Sequence, residues 1–135
     1  MIRPASQPVK AAPRRFALPP WDDSSPQWQD IDRRLPEDHP ARLIDKAVDH
    51  LDLSALFDSY AGTGSQAYRP ELMLKIVLYE LHAGEPSPAR WARDVRFRDE
   101  LKWLGLGIRP SRSYSLRNWT SSVNRVGLSR FGKRP

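Results

Sequence analysis

The segment from Pro70 to Ala83, PELMLKIVLYELHA, constrains this chain more than any other. Leu72, Met73, Leu74, Ile76, Val77, Leu78, Tyr79 and Leu81 cover almost the whole circumference of a helix. A helix that is apolar all round has no face to give to water, so it must be the hub on which other elements pack. Pro70 suits its first turn, where a missing N–H costs nothing. Gly84 suits its C-terminal cap. Ser87 and Pro88 then restart a helix by the combination of a capping residue and a proline. The sequence thus predicts a buried helix joined through a short break to a second one. That second helix, Pro88 to Val95, turns Ala89, Ala92 and Val95 inward and carries Arg90, Arg93 and Arg96 on a stripe of their own.

Other apolar spacings supply the partners of the hub. Leu43, Ile44, Ala47, Val48 and Leu51 recur at helical spacing after Pro40, with Asp38 or His39 as cap and Asp45 and Asp49 on the wet face. Leu53, Leu56, Phe57 and Tyr60 predict a short helix starting at Asp52 and stopping before Gly62. Phe97, Leu101 and Leu104 predict a fifth helix, ended by Gly105 and Gly107. A last helical face follows a Ser111 cap, with Leu116, Trp119, Val123 and Val126 on its apolar side. No segment alternates at period two. The expected fold is all-α: a small helical bundle over 35–126 with helix-turn-helix-like pairs, and a basic tail over 127–135. Residues 1–34 hold six prolines and no sustained periodicity, which predicts a disordered proline-rich arm. Trp21 and Trp28 are large enough to pin parts of that arm to the body.

Composition narrows the function. There is no cysteine, so neither disulfides nor thiolate chemistry operate here. The longest apolar run, Leu72 to Leu81, is interrupted by Lys75 and Glu80 and falls short of the roughly 20 residues of a membrane span. With no apolar leader either, a cytoplasmic, nucleoid-associated protein is expected. His39, His50 and His82 have no metal-ligand spacing, and the adjacent carboxylates Asp22–Asp23 and Asp99–Glu100 do not face each other on a helix. No cofactor, metal or catalytic group is expected. The net charge of +6 is uneven: six Lys/Arg against four Asp/Glu over 1–34, nine against twelve over 35–104, and seven against none over 105–135. A basic block without acids fits a polyanion, most often nucleic acid, or a solvated basic tail.

In a helix-turn-helix the first helix packs while the second presents polar side chains to the major groove. Two pairs meet that description: Pro70–Ala83 with Pro88–Val95, and the fifth helix with 111–126. Arg and Asn can read base edges, whereas Ser and Tyr suit phosphates. The candidate DNA-binding residues are therefore Arg90, Arg93 and Arg96 on the first pair, and Arg109, Ser111, Arg112, Ser113, Tyr114, Arg117, Asn118 and Arg125 on the second. An amphipathic bundle helix whose wet face is basic would show the same spacing.

Taken together, these pieces resemble the N-terminal (InsH-like) domain of bacterial insertion-sequence DDE transposases. The resemblance covers about residues 35–113. It rests on LPEDH before the first helix, the D-L-S-x-L step, the loop G-x-G-S-x-A-Y-x-P, the helix LMLKIVLYEL, the break G-E-P-S-P-A-R and the run G-L-G-I-R-P-S-R-S. After Ser113 the sequence departs from the family pattern. The resemblance implies recognition of the element's terminal inverted repeats in double-stranded DNA. It also implies a partner subunit, either another copy or a full-length transposase. The metal-binding acids of that family lie in a separate domain, so this chain is expected to be a truncated, non-catalytic product. The alternative is a protein–protein interaction and multimerisation module, or a truncated regulator.

Overall fold

The computed structural model of the protein describes residues 16–58 and 67–114. Its helices are α1 (Pro26–Arg34), α2 (Pro40–Asp49), α3 (Ser54–Asp58), α4 (Pro70–His82), α5 (Pro88–Phe97) and α6 (Asp99–Leu104). Four of them, α1, α2, α4 and α5, start with proline in the first turn. A pre-set φ at a position with no N–H to lose makes this a cheap start. Among the described residues the architecture is all-α, as expected, with a single isolated bridge between Phe16 and Ala67.

α4 is the hub. It packs against α2, α5 and α6, and Leu72, Met73, Leu74, Ile76, Val77 and Tyr79 are buried on it. Leu78 is only half-buried and Leu81 is exposed. Two charged groups share the interior: Lys75 and Glu80, at 1% and 0% exposure. Lys75 Nζ donates to Asp45 Oδ1 at 2.6 Å and to Asp49 Oδ1 at 3.0 Å, both from α2. This corrects the expectation for Asp45, which is partly buried against α4, while Asp49 stays exposed and pairs with the same ammonium. A buried ammonium needs paired oxygens, so it draws the acidic line of α2 against α4. The inward line of α2 becomes Ala41, Ile44 and Val48, and Leu43 is left 62% exposed. His39 caps α2 through Nδ1, which accepts from Ala41 N–H at 3.0 Å.

The proline-rich segment is the larger correction. The expected disordered arm over 1–34 contains α1 at Pro26–Arg34, and from Phe16 onward it is fastened to the bundle. Phe16 is buried, and Ala17 N–H donates to Ala67 O at 2.8 Å. Trp21 N–H donates to Leu106 O at 3.0 Å. Trp28 stacks on Trp103 with ring centroids 5.9 Å apart, and its Nε1–H donates to Trp103 O. Asp32 accepts from both Trp103 Nε1 and Arg42 Nη1, and the Arg42 guanidinium lies over the Trp103 ring. Prolines exclude a long helix but do not oppose docking by aromatic anchors, which is what joins α1 to α2 and α6.

Two glycines at positive φ end helices. Gly84 (φ 86) closes α4: its N–H donates to Leu81 O, and Glu85 N–H to Glu80 O, the paired bonds of a Schellman cap. Gly107 (φ 81) follows α6, where an added Cβ would sit 2.9 Å from the Trp21 ring. Gly84→Ala is expected to cost about 1 kcal/mol, the strain of a left-handed residue alone, because nothing lies within 4 Å of its Cβ position. Gly107→Ala is expected to cost about 2–3 kcal/mol, because it also displaces Trp21. Urea midpoints of the two variants check the ranking.

Candidate nucleic-acid interface

α5 is oriented by one large side chain. Trp91, 1% exposed, packs inward with Ala92 and Val95, and its Nε1–H donates to Glu85 O at 2.6 Å. Ala89, expected inward, is exposed. At roughly 100° per residue, burial of 91, 92 and 95 turns the opposite side of α5 to solvent. That side carries Arg90, Arg93 and Arg96, all exposed, together with Phe97, which is 73% exposed. Phe97 was expected to begin the fifth helix and pack with Leu101 and Leu104. Instead α5 runs through Phe97, Arg98 is extended, and α6 starts at Asp99. The register change rotates Phe97 away from the core that Leu101 and Leu104 enter. Acidic Asp99 and Glu100 in the first turn of α6 favour a fresh helix start there.

The arginines of the described residues divide into two sets. Arg33 and Arg34 pair with Asp30, Arg34 also with Asp99, Arg42 with Asp32, Arg69 with Glu71 and Arg98 with Glu100. Arg90 has only a long contact to Glu85, 3.7 Å. Among the described residues Arg93, Arg96, Arg109 and Arg112 form no ion pair. Arg96 Nε donates only to the Ala92 carbonyl, at 3.3 Å. Of the paired arginines, Arg34 and Arg42 join separate helices and the others pair locally, whereas these four carry uncompensated charge.

The remaining predicted site residues divide in the same way. Arg109, Ser111, Arg112 and Ser113 are exposed on the segment after α6. Ser111 Oγ accepts from Tyr114 N–H at 3.1 Å, the cap foreseen for a helix starting there. Tyr114 does not stand free: its hydroxyl accepts from Tyr68 N–H at 2.9 Å, and the two rings meet edge-on with centroids 5.0 Å apart. Its structural duty is to fasten this segment to the chain just before α4. Arg117, Asn118 and Arg125, and the helical face expected over 111–126, lie outside the described residues beyond Tyr114. The structure therefore gathers Arg90, Arg93 and Arg96 on one helix face and places Arg109 and Arg112 on a separate element. Sequence reasoning missed Phe97 as a surface residue and Trp91 as the anchor. Taking the bulkiest residue of the segment to set its inward face would have found both.

Glu80 lies behind this surface, near the C-terminal end of α4. No hydrogen-bond donor reaches either of its carboxylate oxygens, and the acceptor beside it is the Asp94 carboxylate. Burial first, and the neighbouring Asp94 of α5 next, push its pKa up to about 8, with Glu85 adding to the effect and Arg98 opposing it. Among the described residues no group of three or more His, Asp or Glu is placed to hold a metal ion, and no helix is long and apolar enough to cross a membrane.

A sequence model of the family described as Transposase domain (DUF772) matches residues 29–119, more than half of the chain. The match begins within α1, so it includes most of the helix that the proline content had hidden. No curated protein and no solved structure matches the chain.

Proposed function

Because this chain belongs to the transposase domain family DUF772, we propose that it binds double-stranded DNA through the exposed arginines of α5 and of the segment after α6. In this reading α4 is the supporting helix and α5 the presenting one, with Arg90, Arg93 and Arg96 toward the phosphates. Arg109 and Arg112 extend the contact. The DNA is the terminal inverted repeat of the mobile element, and strand cleavage belongs to a catalytic domain apart from these helices. The observation that carries the proposal is the division of the arginines. Arg33, Arg34, Arg42, Arg69 and Arg98 are paired with carboxylates, whereas Arg93, Arg96, Arg109 and Arg112 are left with charge that a phosphate backbone complements.

The test is the salt dependence of DNA binding. Each phosphate contact contributes about 0.9 to the slope of log K against log salt. Arg93→Ala combined with Arg96→Ala is expected to flatten that slope by roughly 2 and to move stability by less than about 0.5 kcal/mol. An unchanged slope would remove α5 from the interface. Sequence preference is read separately, by comparing a terminal-repeat duplex with a scrambled one.

One observation favours a second reading, a contact between subunits. Leu43 stands 62% exposed on α2, because Lys75 sets the inward face of that helix. Sedimentation of the protein with and without Leu43→Ser would show whether this residue holds copies together.

A further inference from the structure

We propose that Phe97 stacks on an unpaired or unstacked base, acting as an apolar wedge at the end of the arginine-bearing face of α5. The inference rests on the reading of α5 as the DNA-facing helix, and it adds a distinct preference for distorted over regular duplex.

The placement of Phe97 is unusual in three respects. It is 73% exposed, and no other Phe, Tyr or Trp among the described residues is exposed. By helical position it shares the outer side of α5 with Arg90 and Arg93, about one turn beyond Arg93 and two beyond Arg90 along the axis. It is also the last residue of α5. The next residue, Arg98, is held back by its ion pair with Glu100, 2.8 Å, so the phenyl ring forms the tip of this surface.

A purely phosphate-binding face gains nothing from a phenyl ring. Aromatic rings interleaved with cations suit nucleic acid whose bases are accessible, because every base has a π face and stacking tolerates any sequence. Apolar side chains of the same kind act as wedges at base steps that a protein unstacks. Leu43 and Leu18, the other strongly exposed apolar side chains, are aliphatic and lie outside the arginine stripe.

The experiment uses two fluorescent probes with the full chain: a regular 20-base-pair duplex, and the same duplex with one bulged 2-aminopurine. Wild type is expected to bind the bulged probe about 5- to 100-fold more tightly and to change its 2-aminopurine emission. Phe97→Ala should abolish that preference and the emission change, leaving binding of the regular duplex, its salt slope and the melting temperature unaltered. Phe97→Trp should restore the preference, because it keeps a stacking ring. If wild type binds neither probe, the DNA reading fails and the wedge fails with it. If wild type binds both but Phe97→Ala retains the preference, the wedge is overturned while the DNA reading stands. If Phe97→Ala weakens both probes equally, or instead dissolves a dimer in sedimentation, Phe97 is a general or protein contact and the proposal is overturned.

Discussion

Trp91→Ala is expected to destabilise the protein by about 3–5 kcal/mol, the range for removing a buried tryptophan. The side chain is 1% exposed and lies one turn into α5, between the break after α4 and the core. Its Nε1–H closes the break from one side by donating to Glu85 O. The break is closed from the other side by Glu85 N–H donating to Glu80 O, and by Ser87 N–H donating to a Glu85 carboxylate oxygen at 3.1 Å. Alanine would leave a cavity the size of an indole and a carbonyl without its donor. Trp91→Phe separates the two effects: it keeps most of the volume and loses the hydrogen bond, for roughly 1–2 kcal/mol. Urea denaturation of both variants measures the difference. A loss below about 1 kcal/mol for Trp91→Ala would mean that α5 is held by something other than its tryptophan. Because Arg90 and Arg93 ride on the same helix, the proposed DNA contact requires that Trp91→Ala also weaken binding, whereas the surface substitutions should not weaken folding.

The second large effect is a dependence on pH. Glu80 has its pKa raised from 4.5 to about 8 in the folded protein, with burial as the main cause. The folded state therefore holds this proton more tightly than the unfolded chain does. Its contribution to stability is fully present below pH 4.5, falls as pH rises from there toward 8, and stays lost above that. Below pH 8 the neutral acid can donate to the Asp94 carboxylate. Above it, two carboxylates face each other between α4 and α5. Glu80→Gln replaces the acid by an amide that is neutral at every pH and can still donate. The variant should match wild type near pH 4.5 and exceed it at pH 8 by on the order of 3–5 kcal/mol. Melting curves across that range check this. Parallel curves for the two proteins would show that Glu80 ionises normally. Arg98 and Glu85 also face the pair, with opposite effects, so Glu85→Gln should lower the pH midpoint slightly rather than abolish the transition.

Local chemistry was legible in the sequence wherever the deciding group sits next to the backbone it controls. Pro70 and Pro88 start helices, His39 caps α2, Gly84 closes α4 and Ser111 caps the turn at Tyr114, each through contacts a few residues long. The arginine stripe of α5 was legible for the same reason, since spacing fixes which side chains share a helix face. Which face turns inward was not legible. Ala89, Ala92 and Val95 suggested one inward line, and Trp91, with far more area to bury, rotated it. Phe97 moved from core to surface with that rotation and with the extended residue at Arg98.

Residue type and spacing alone were enough to show that the described residues are helical, that one helix is their hub, and that a break at Gly84 redirects the chain into an arginine-bearing helix. Those are consequences of residue type and spacing, and they operate over a turn or two. Which charges are used up across helices depends on contacts between distant segments. Lys75 is drawn to Asp45 and Asp49, Arg42 to Asp32 beneath Trp103, and Arg34 to Asp99. Tertiary contact likewise turned part of a proline-rich segment into a docked helix through Trp21 and Trp28. The physical reason is the same throughout. The free energy of burying an aromatic ring or pairing a buried charge depends on what lies across the contact, and partners in these contacts lie as far as 75 residues apart in the chain.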